Sequence, residues 1–138
     1  MLLTQDTHFD NYAETLEGRK LPVPHCIKDT KGWEINDVIY EAVEGKGEDF
    51  LGIVEKKTFG STELPIHVTK LMREYDITEI ELSGLCTGIC VLANAVMLRA
   101  HFPDMVIKVN ADFTECLNEE TKRHALEVLK LQQVDVIE

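Results

Sequence analysis

A chain of 138 residues has the length of one ordinary domain, and 44% hydrophobic with 28% charged residues is a globular composition. With 14 basic against 25 acidic residues the net charge is -11, which argues against a nucleic-acid or anionic-membrane partner. No apolar run approaches membrane-spanning length and the N-terminus does not read as a signal peptide. The expectation is therefore a cytoplasmic protein that keeps Cys26, Cys86, Cys90 and Cys116 as thiols.

Strand-like and helix-like segments alternate along the chain, the pattern of an α/β fold with a mainly parallel sheet. Met1 to Thr4 reads as a short strand running into a polar loop, and residues 9 to 33, with Gly18, Pro22, Pro24 and Gly32, read as loop. Ile35, Val38, Ile39, Ala42 and Val43 recur at helical spacing behind Asn36, and Gly45 and Gly47 end that helix. Phe50 to Val54 is a predicted strand. Ser61 or Thr62 can cap the next helix, which tolerates Pro65 in its first turn and carries Leu64, Val68, Leu71, Met72 and Tyr75 as its apolar stripe. Ile80 to Leu82 is the next strand. Residues 90 to 100 are apolar all round and predict a helix covered on both sides. Met105 to Val109 is a strand, Glu119 to Leu131 an amphipathic helix, and Val134 to Ile137 a last strand. With no repeat, linker or low-complexity tract, residues 1–138 read as a single domain.

Polar residues cluster just past the ends of predicted strands: Asp6 and His8, then Lys56, then Cys86 to Cys90. In an open parallel sheet the C-terminal strand ends share one edge, where ligands bind, so three segments are expected to aim reactive groups at one crevice. Cys90 stands at a strand-to-helix turn, where free N–H groups and the positive end of the helix dipole stabilise a thiolate. A nucleophilic cysteine also needs support for developing oxyanion charge. The N–H groups of Cys86 and Cys90 can provide it, with Gly88 letting the backbone bend closely. Lys56 can supply a nearby ammonium; its plainer reading is a solvated surface lysine. The loop holding Asp6, His8, Glu17 and His25 offers two carboxylates and two imidazoles, a donor set suited to a divalent transition metal, though such mixtures also occur as ordinary loop polar groups. Cys26 beside His25 is a possible thiolate ligand without a second cysteine at ligand spacing. Trp33, Phe9 and Tyr12 can wall a pocket or belong to the core. His67, His101, His124 and Cys116 read as surface or structural.

Several segments together resemble one family: Thr4-Gln5-Asp6-Thr7-His8, Glu17-Gly18, Leu21-Pro22-Val23-Pro24-His25-Cys26, Gly32-Trp33, Lys56-Lys57-Thr58-Phe59-Gly60-Ser61 and Gly84-Leu85-Cys86-Thr87-Gly88-Ile89-Cys90-Val91, in that order. The chain resembles the isochorismatase-like cysteine hydrolases, nearest to their nicotinamidase (pyrazinamidase) branch, over essentially its whole length. The resemblance implies a Rossmann-like three-layer α/β/α fold. It implies Cys90 as nucleophile, Lys56 rather than Lys57 as the catalytic lysine, and a cis peptide between Leu85 and Cys86 that aims N–H groups into the oxyanion hole. It implies Asp6, His8 and His25, with Glu17 as the fourth, as ligands of a divalent metal, zinc first and iron or manganese as alternatives. The metal would hold the pyridine nitrogen of nicotinamide while the thiolate attacks the carboxamide, releasing ammonia and then nicotinate through a thioester.

Two departures stand out. Gly88 replaces an acidic residue common in the family. The family also begins with an apolar strand ending in the aspartate that takes the thiol proton, and this sequence reads as starting at the second strand, so a strand-plus-helix unit of about 30 residues is expected to be missing. Asp6 cannot serve as that base, because Thr7-His8 and the loop to His25 identify it with the metal site. The expectations are a truncated chain of impaired activity, with a small-molecule amide as ligand, no nucleic-acid or membrane partner, and a homo-oligomer as rescue for exposed strand edges. The alternatives are an inactive binding module of the same fold, or a hydrolase of isochorismate or N-carbamoyl amides.

Overall fold

Every strand pairing in the computed structural model, which describes all residues from Met1 to Glu138, is parallel. The residues form two compact units, Met1–Thr58 and Phe59–Glu138, each built around its own sheet.

In the first unit β1 (Leu3–Asp6) pairs with β2 (Ile53–Lys56), in the register Leu3↔Ile53 to Asp6↔Lys56. Both strands lie further along the chain than the hydrophobic runs suggest. Gly52, at φ +102°, breaks the extended run that starts at Phe50, and a 3-10 turn occupies Gly47–Asp49. β2 therefore ends on Lys56 instead of before it. The register then sets Asp6 and Lys56 side by side at the C-terminal edge, and Thr7 N–H extends the ladder by donating to the Lys56 carbonyl at 2.8 Å.

The segment read as loop contains a 3-10 turn, Tyr12–Glu14, and a short helix, α1 (Leu16–Lys20). Thr15 caps α1 by accepting from the Gly18 N–H at 2.9 Å. Gly18 is required for packing. A Cβ there would lie 2.0 Å from the Tyr12 carbonyl oxygen, closer than any real contact. The next helix, α2 (Asp37–Glu44), forms where its periodicity predicts, with Asn36 accepting from the Val38 N–H. Its stripe is not core, however: Val43 is buried, while Val38 and Ile39 are exposed.

In the second unit the sheet order is β3 (Glu79–Leu85), β4 (Val106–Glu115), β5 (Asp135–Ile137); α3 (Glu63–Leu71) precedes β3, α4 (Leu92–His101) joins β3 to β4 and α5 (Glu119–Leu131) joins β4 to β5. Ser61, not Thr62, caps α3, its Oγ accepting from the Leu64 N–H at 3.2 Å. Leu64 and Val68 are buried; Met72 and Tyr75 lie past the helix end and are exposed. α5 has the predicted bounds and carries a capping box between Asn118 and Thr121. The core gathers Val91, Ala95 and Leu98 with Ile107, Val109, Ala125, Leu129 and Val134. β4 runs six residues past its apolar start, Val106–Val109, because the pairing with β3 resumes at Gly84↔Thr114 and Leu85↔Glu115 after a shift in register. Gly84 absorbs that shift at φ +110°, a conformation favourable to glycine alone.

The Tyr12–Gly18 contact gives a direct test. Gly18→Ala is expected to lower stability by about 1–3 kcal/mol, the usual cost of overpacking, read as a reduced urea midpoint. An unchanged midpoint would mean that the chain relieves the clash freely.

Candidate functional site

Backbone alternation sorts the residues that follow β1. Gln5 and Thr7 are tied to Trp33: Gln5 Nε2 donates to the Trp33 carbonyl at 2.8 Å, and Trp33 Nε1 donates to Thr7 Oγ1 at 2.9 Å. Asp6 and His8 consequently share the opposite side of the extended segment. His8 then makes a parallel bridge with Ile27. Its N–H donates to the Cys26 carbonyl and its carbonyl accepts from Lys28 N–H, both at 2.9 Å. This bridge fixes the return of the loop and brings His25 against His8.

Four ligating atoms converge there. His8 Nε2 lies 3.6 Å from Asp6 Oδ2 and 3.4 Å from Glu17 Oε1, and His25 Nε2 lies 3.7 Å from each of the same two oxygens. These separations are too long for hydrogen bonds. His8 Nε2 and Glu17 Oε1 are in fact buried without a hydrogen-bond partner, as is Asp6 Oδ1. Two atoms of the converging set, His8 Nε2 and Glu17 Oε1, are thus orphaned, and a shared cation satisfies atoms at this spacing, since tetrahedral bonds of ~2.0–2.2 Å put ligand atoms about 3.3–3.6 Å apart. His25 Nδ1 lies 2.8 Å from the Val23 carbonyl, which can only accept, so Nδ1 is the donor there and Nε2 is the ring nitrogen that faces the cluster. The structure thus holds a possible His/Asp metal site, with Asp6, His8 and His25 grouped within 4.8 Å.

Two further side chains complete this cluster. The buried Lys56 ammonium lies 3.2 Å from Asp6 Oδ1, an ion-pair distance without hydrogen-bond alignment, and donates to the Thr58 carbonyl at 3.2 Å. Tyr12 is 2% exposed and sets its ring edge-on to both imidazoles, with centroids 4.8 and 5.2 Å away. Its hydroxyl donates to the Leu21 carbonyl at 2.9 Å. Burial, then the negative charges of Glu17 and Asp6, push the phenol pKa up, so Tyr12 stays a neutral wall. Phe9 is exposed, with Lys57 Nζ 5.4 Å from its ring centre. Trp33 serves as the anchor of β1 rather than as a member of the cluster.

In the second unit the Leu85–Cys86 peptide is cis. Cys90 lies in a π-helical turn, Thr87–Val91, that leads into α4. The Cys86 carbonyl accepts from the N–H groups of Ile89 at 3.0 Å and Val91 at 3.2 Å, which closes the turn. Burial, then the neighbouring Cys116 and Cys90, push the Cys86 thiol pKa up. The four cysteines form no disulfide.

Asn94 carries no sequence signal beyond a lone amide in an apolar helix, yet it organises this region. Its Nδ2 donates to the carbonyls of Cys90 at 2.8 Å and Phe59 at 3.0 Å, and its Oδ1 accepts from Ser61 N–H at 2.9 Å. The side chain is buried, so it ties the segment before α3 to the Cys90 turn.

The fold is that of a known group of enzymes. The chain belongs to the isochorismatase family, a family of hydrolases, whose Isochorismatase domain matches residues 1–138. Among solved structures it is similar to the nicotinamidase of Bacillus subtilis, at 28% identity and a TM-score of 0.77, covering 99% of this chain and 74% of that one. The pyrazinamidase/nicotinamidase of Streptococcus mutans is similar at 25% identity and a TM-score of 0.80, with the same coverage. The pyrazinamidase of Pyrococcus horikoshii, solved in complex with zinc, shares the fold at 21% identity and a TM-score of 0.70, again over 99% and 74% of the two chains. No curated protein matches the chain. No helix is long and apolar enough to cross a membrane.

Asn94→Ala is expected to remove the partner of the buried Ser61 N–H and one donor from each of two carbonyls, and to cost about 1–3 kcal/mol, measurable as a lower urea midpoint. Wild-type stability in the variant would show that the amide is dispensable.

Proposed function

We propose that this chain is a cysteine-dependent amidohydrolase of nicotinamidase type, converting nicotinamide or a closely related small carboxamide to the acid and ammonia. The observation that carries the reading is the crowding of Asp6, His8, Glu17 and His25, with buried acceptors that have no hydrogen-bond partner. Such a centre suits a substrate with a lone pair to offer, as an azine ring has. Family membership and similarity to nicotinamidases support the same reading.

Roles follow residue by residue. Asp6, His8, Glu17 and His25 would hold a divalent ion, with zinc as the first candidate and iron or manganese as alternatives. When bound, the ion supplies a Lewis-acid contact that fixes the ring nitrogen of the substrate. Tyr12 keeps the imidazoles in place and excludes water from one side. Lys56 offsets carboxylate charge beside Asp6 and stabilises negative charge that develops during reaction. The Cys90 sulfur attacks the carboxamide carbon, and the former carbonyl oxygen takes the charge and is met by the N–H groups of Cys86 and Cys90. Collapse expels ammonia, which carries away the proton that the thiol gave up, and water then cleaves the thioester to the acid and regenerates the thiol.

The wild-type protein is expected to release ammonia from nicotinamide, with Cys90→Ala slower by at least about a thousand-fold. Equal rates for the two proteins would dispose of the cysteine mechanism. In a separate measurement, chelator-dialysed protein is expected to take up one equivalent of zinc by calorimetry and His8→Ala to lose that uptake. Undiminished uptake by the variant would dispose of the metal centre.

A further inference from the structure

Cys116 stands outside the roles assigned above, yet its surroundings are those of a reactive thiol. It follows Glu115, the last residue of β4, as Cys86 follows Leu85, the last residue of β3, and Leu85 and Glu115 are register partners. Cys86 and Cys116 are thus the next two residues of adjacent parallel strands. Neighbouring strands run ~4.8 Å apart, inside the ~4.4–6.8 Å Cα range that a disulfide spans. The Cys116 sulfur also lies against the Cys90 turn: a Cβ placed on Gly88 would be 3.4 Å from it. Both cysteines are half-buried rather than sealed in the core.

We propose that Cys86 and Cys116 are a redox modification site, a dithiol that a hydroperoxide converts to a disulfide across the ends of β3 and β4. Cys116 reacts first. Its pKa is lowered by a hydrogen bond from the Thr121 hydroxyl, then by the N–H groups of Gly88 and Leu117, against the opposing effects of burial and Glu115. Thr121 can also turn its single proton to the Asn118 carbonyl at 2.9 Å, so its contribution varies with that rotor, while the two N–H donors are fixed by the backbone. Cys86 is shifted the other way and serves as the resolving thiol. The Cys116 thiolate attacks one peroxide oxygen: an S–O bond forms, the O–O bond breaks, and the leaving oxygen takes a proton. The Cys86 sulfur then attacks the Cys116 sulfur: the S–S bond forms, the S–O bond breaks, and hydroxide leaves as water with the Cys86 proton. In all, two thiols and one hydrogen peroxide give one disulfide and two waters.

The bridge has a consequence for the turn, because the Cys86 carbonyl closes the segment that carries Cys90. Tying Cys86 to β4 re-aims that segment, so oxidation suspends amide hydrolysis reversibly; this consequence rests on the amidohydrolase reading, whereas the disulfide itself does not.

The test is peptide mapping. Cys86 and Cys90 share one tryptic peptide, since no Lys or Arg lies between Arg73 and Arg99, so Cys90→Ser is used beside the wild type to separate them. Each protein is treated with a few equivalents of hydrogen peroxide, its remaining thiols are capped with N-ethylmaleimide, and it is digested without reductant. The expected result is a crosslinked peptide joining Cys86 and Cys116 in both proteins, lost on treatment with dithiothreitol. Cys86→Ser is expected to accumulate a dimedone-reactive Cys116 instead. Recovery of Cys86 and Cys116 as capped thiols in Cys90→Ser, or a wild-type crosslink that joins Cys116 to Cys90 and vanishes in Cys90→Ser, would overturn the proposal whatever the amidase assay shows.

Discussion

The in-register parallel pairing of β1 with β2 is the constraint on which the first unit depends. It places a carboxylate, Asp6, beside a buried ammonium, Lys56, and the same strand continues to His8. From there a single bridge to Ile27 recruits His25, and the Thr15-capped α1 delivers Glu17. Two carboxylates against one ammonium leave an excess of one formal negative charge. Leaving a polar atom buried and unsatisfied costs on the order of 1–3 kcal/mol. His8 Nε2 and Glu17 Oε1 fall in this class, a large demand against the net ~5–15 kcal/mol of a typical domain, while Asp6 Oδ1 faces the Lys56 ammonium. A divalent cation answers both the charge and the missing partners, which neither water-exposed loop residues nor an ordinary ion pair would do.

The second unit solves a different problem. The thiol nucleophile proposed for this unit would need a backbone that holds N–H donors ready, and donors held ready in this way are costly unless the rest of the turn is satisfied. Here the Cys86 carbonyl accepts twice, and Asn94 takes up the carbonyls of Cys90 and Phe59. Polar satisfaction by a few side chains, with Ala95, Leu98 and Val91 packed around them, gives the turn its definition. The Cys86 and Cys116 thiols near this turn sit in distinct environments, the first shifted by burial and neighbouring thiols, the second by hydrogen bonds from Thr121, Gly88 and Leu117.

Elements whose signals are local were legible in the sequence. α5 announces itself by a cap and a clean periodicity, and α2 by Asn36 and its apolar spacing. The cluster of Asp6, His8, Glu17 and His25 was visible as candidate donor chemistry because its members lie within twenty residues of one another. What the sequence did not show depends on contacts between distant residues. α1 is too short to establish a period, and its existence rests on Gly18 fitting beneath the Tyr12 carbonyl. The last part of β4 is disguised by polar residues, among them Asn110, which pairs with Ile137 of β5, and Thr114, which pairs with Gly84 of β3. The exposed stripe of α2 shows the converse: periodicity can specify a helix without specifying what covers it. Asn94 was passed over because an amide in an apolar helix has no meaning until its partners are known.

The central claim is that the four-residue cluster is a metal centre that receives the ring of the substrate. A crystal of the protein grown with nicotinate, measured above and below the zinc absorption edge, tests it most directly. The expected anomalous map has one peak within bonding distance of Asp6, His8, Glu17 and His25, with the pyridine nitrogen of the ligand directed at the same peak. A ligand bound elsewhere in the chain, or a cluster with no anomalous scatterer at the zinc, iron or manganese edge in a protein that still turns over nicotinamide, would contradict it.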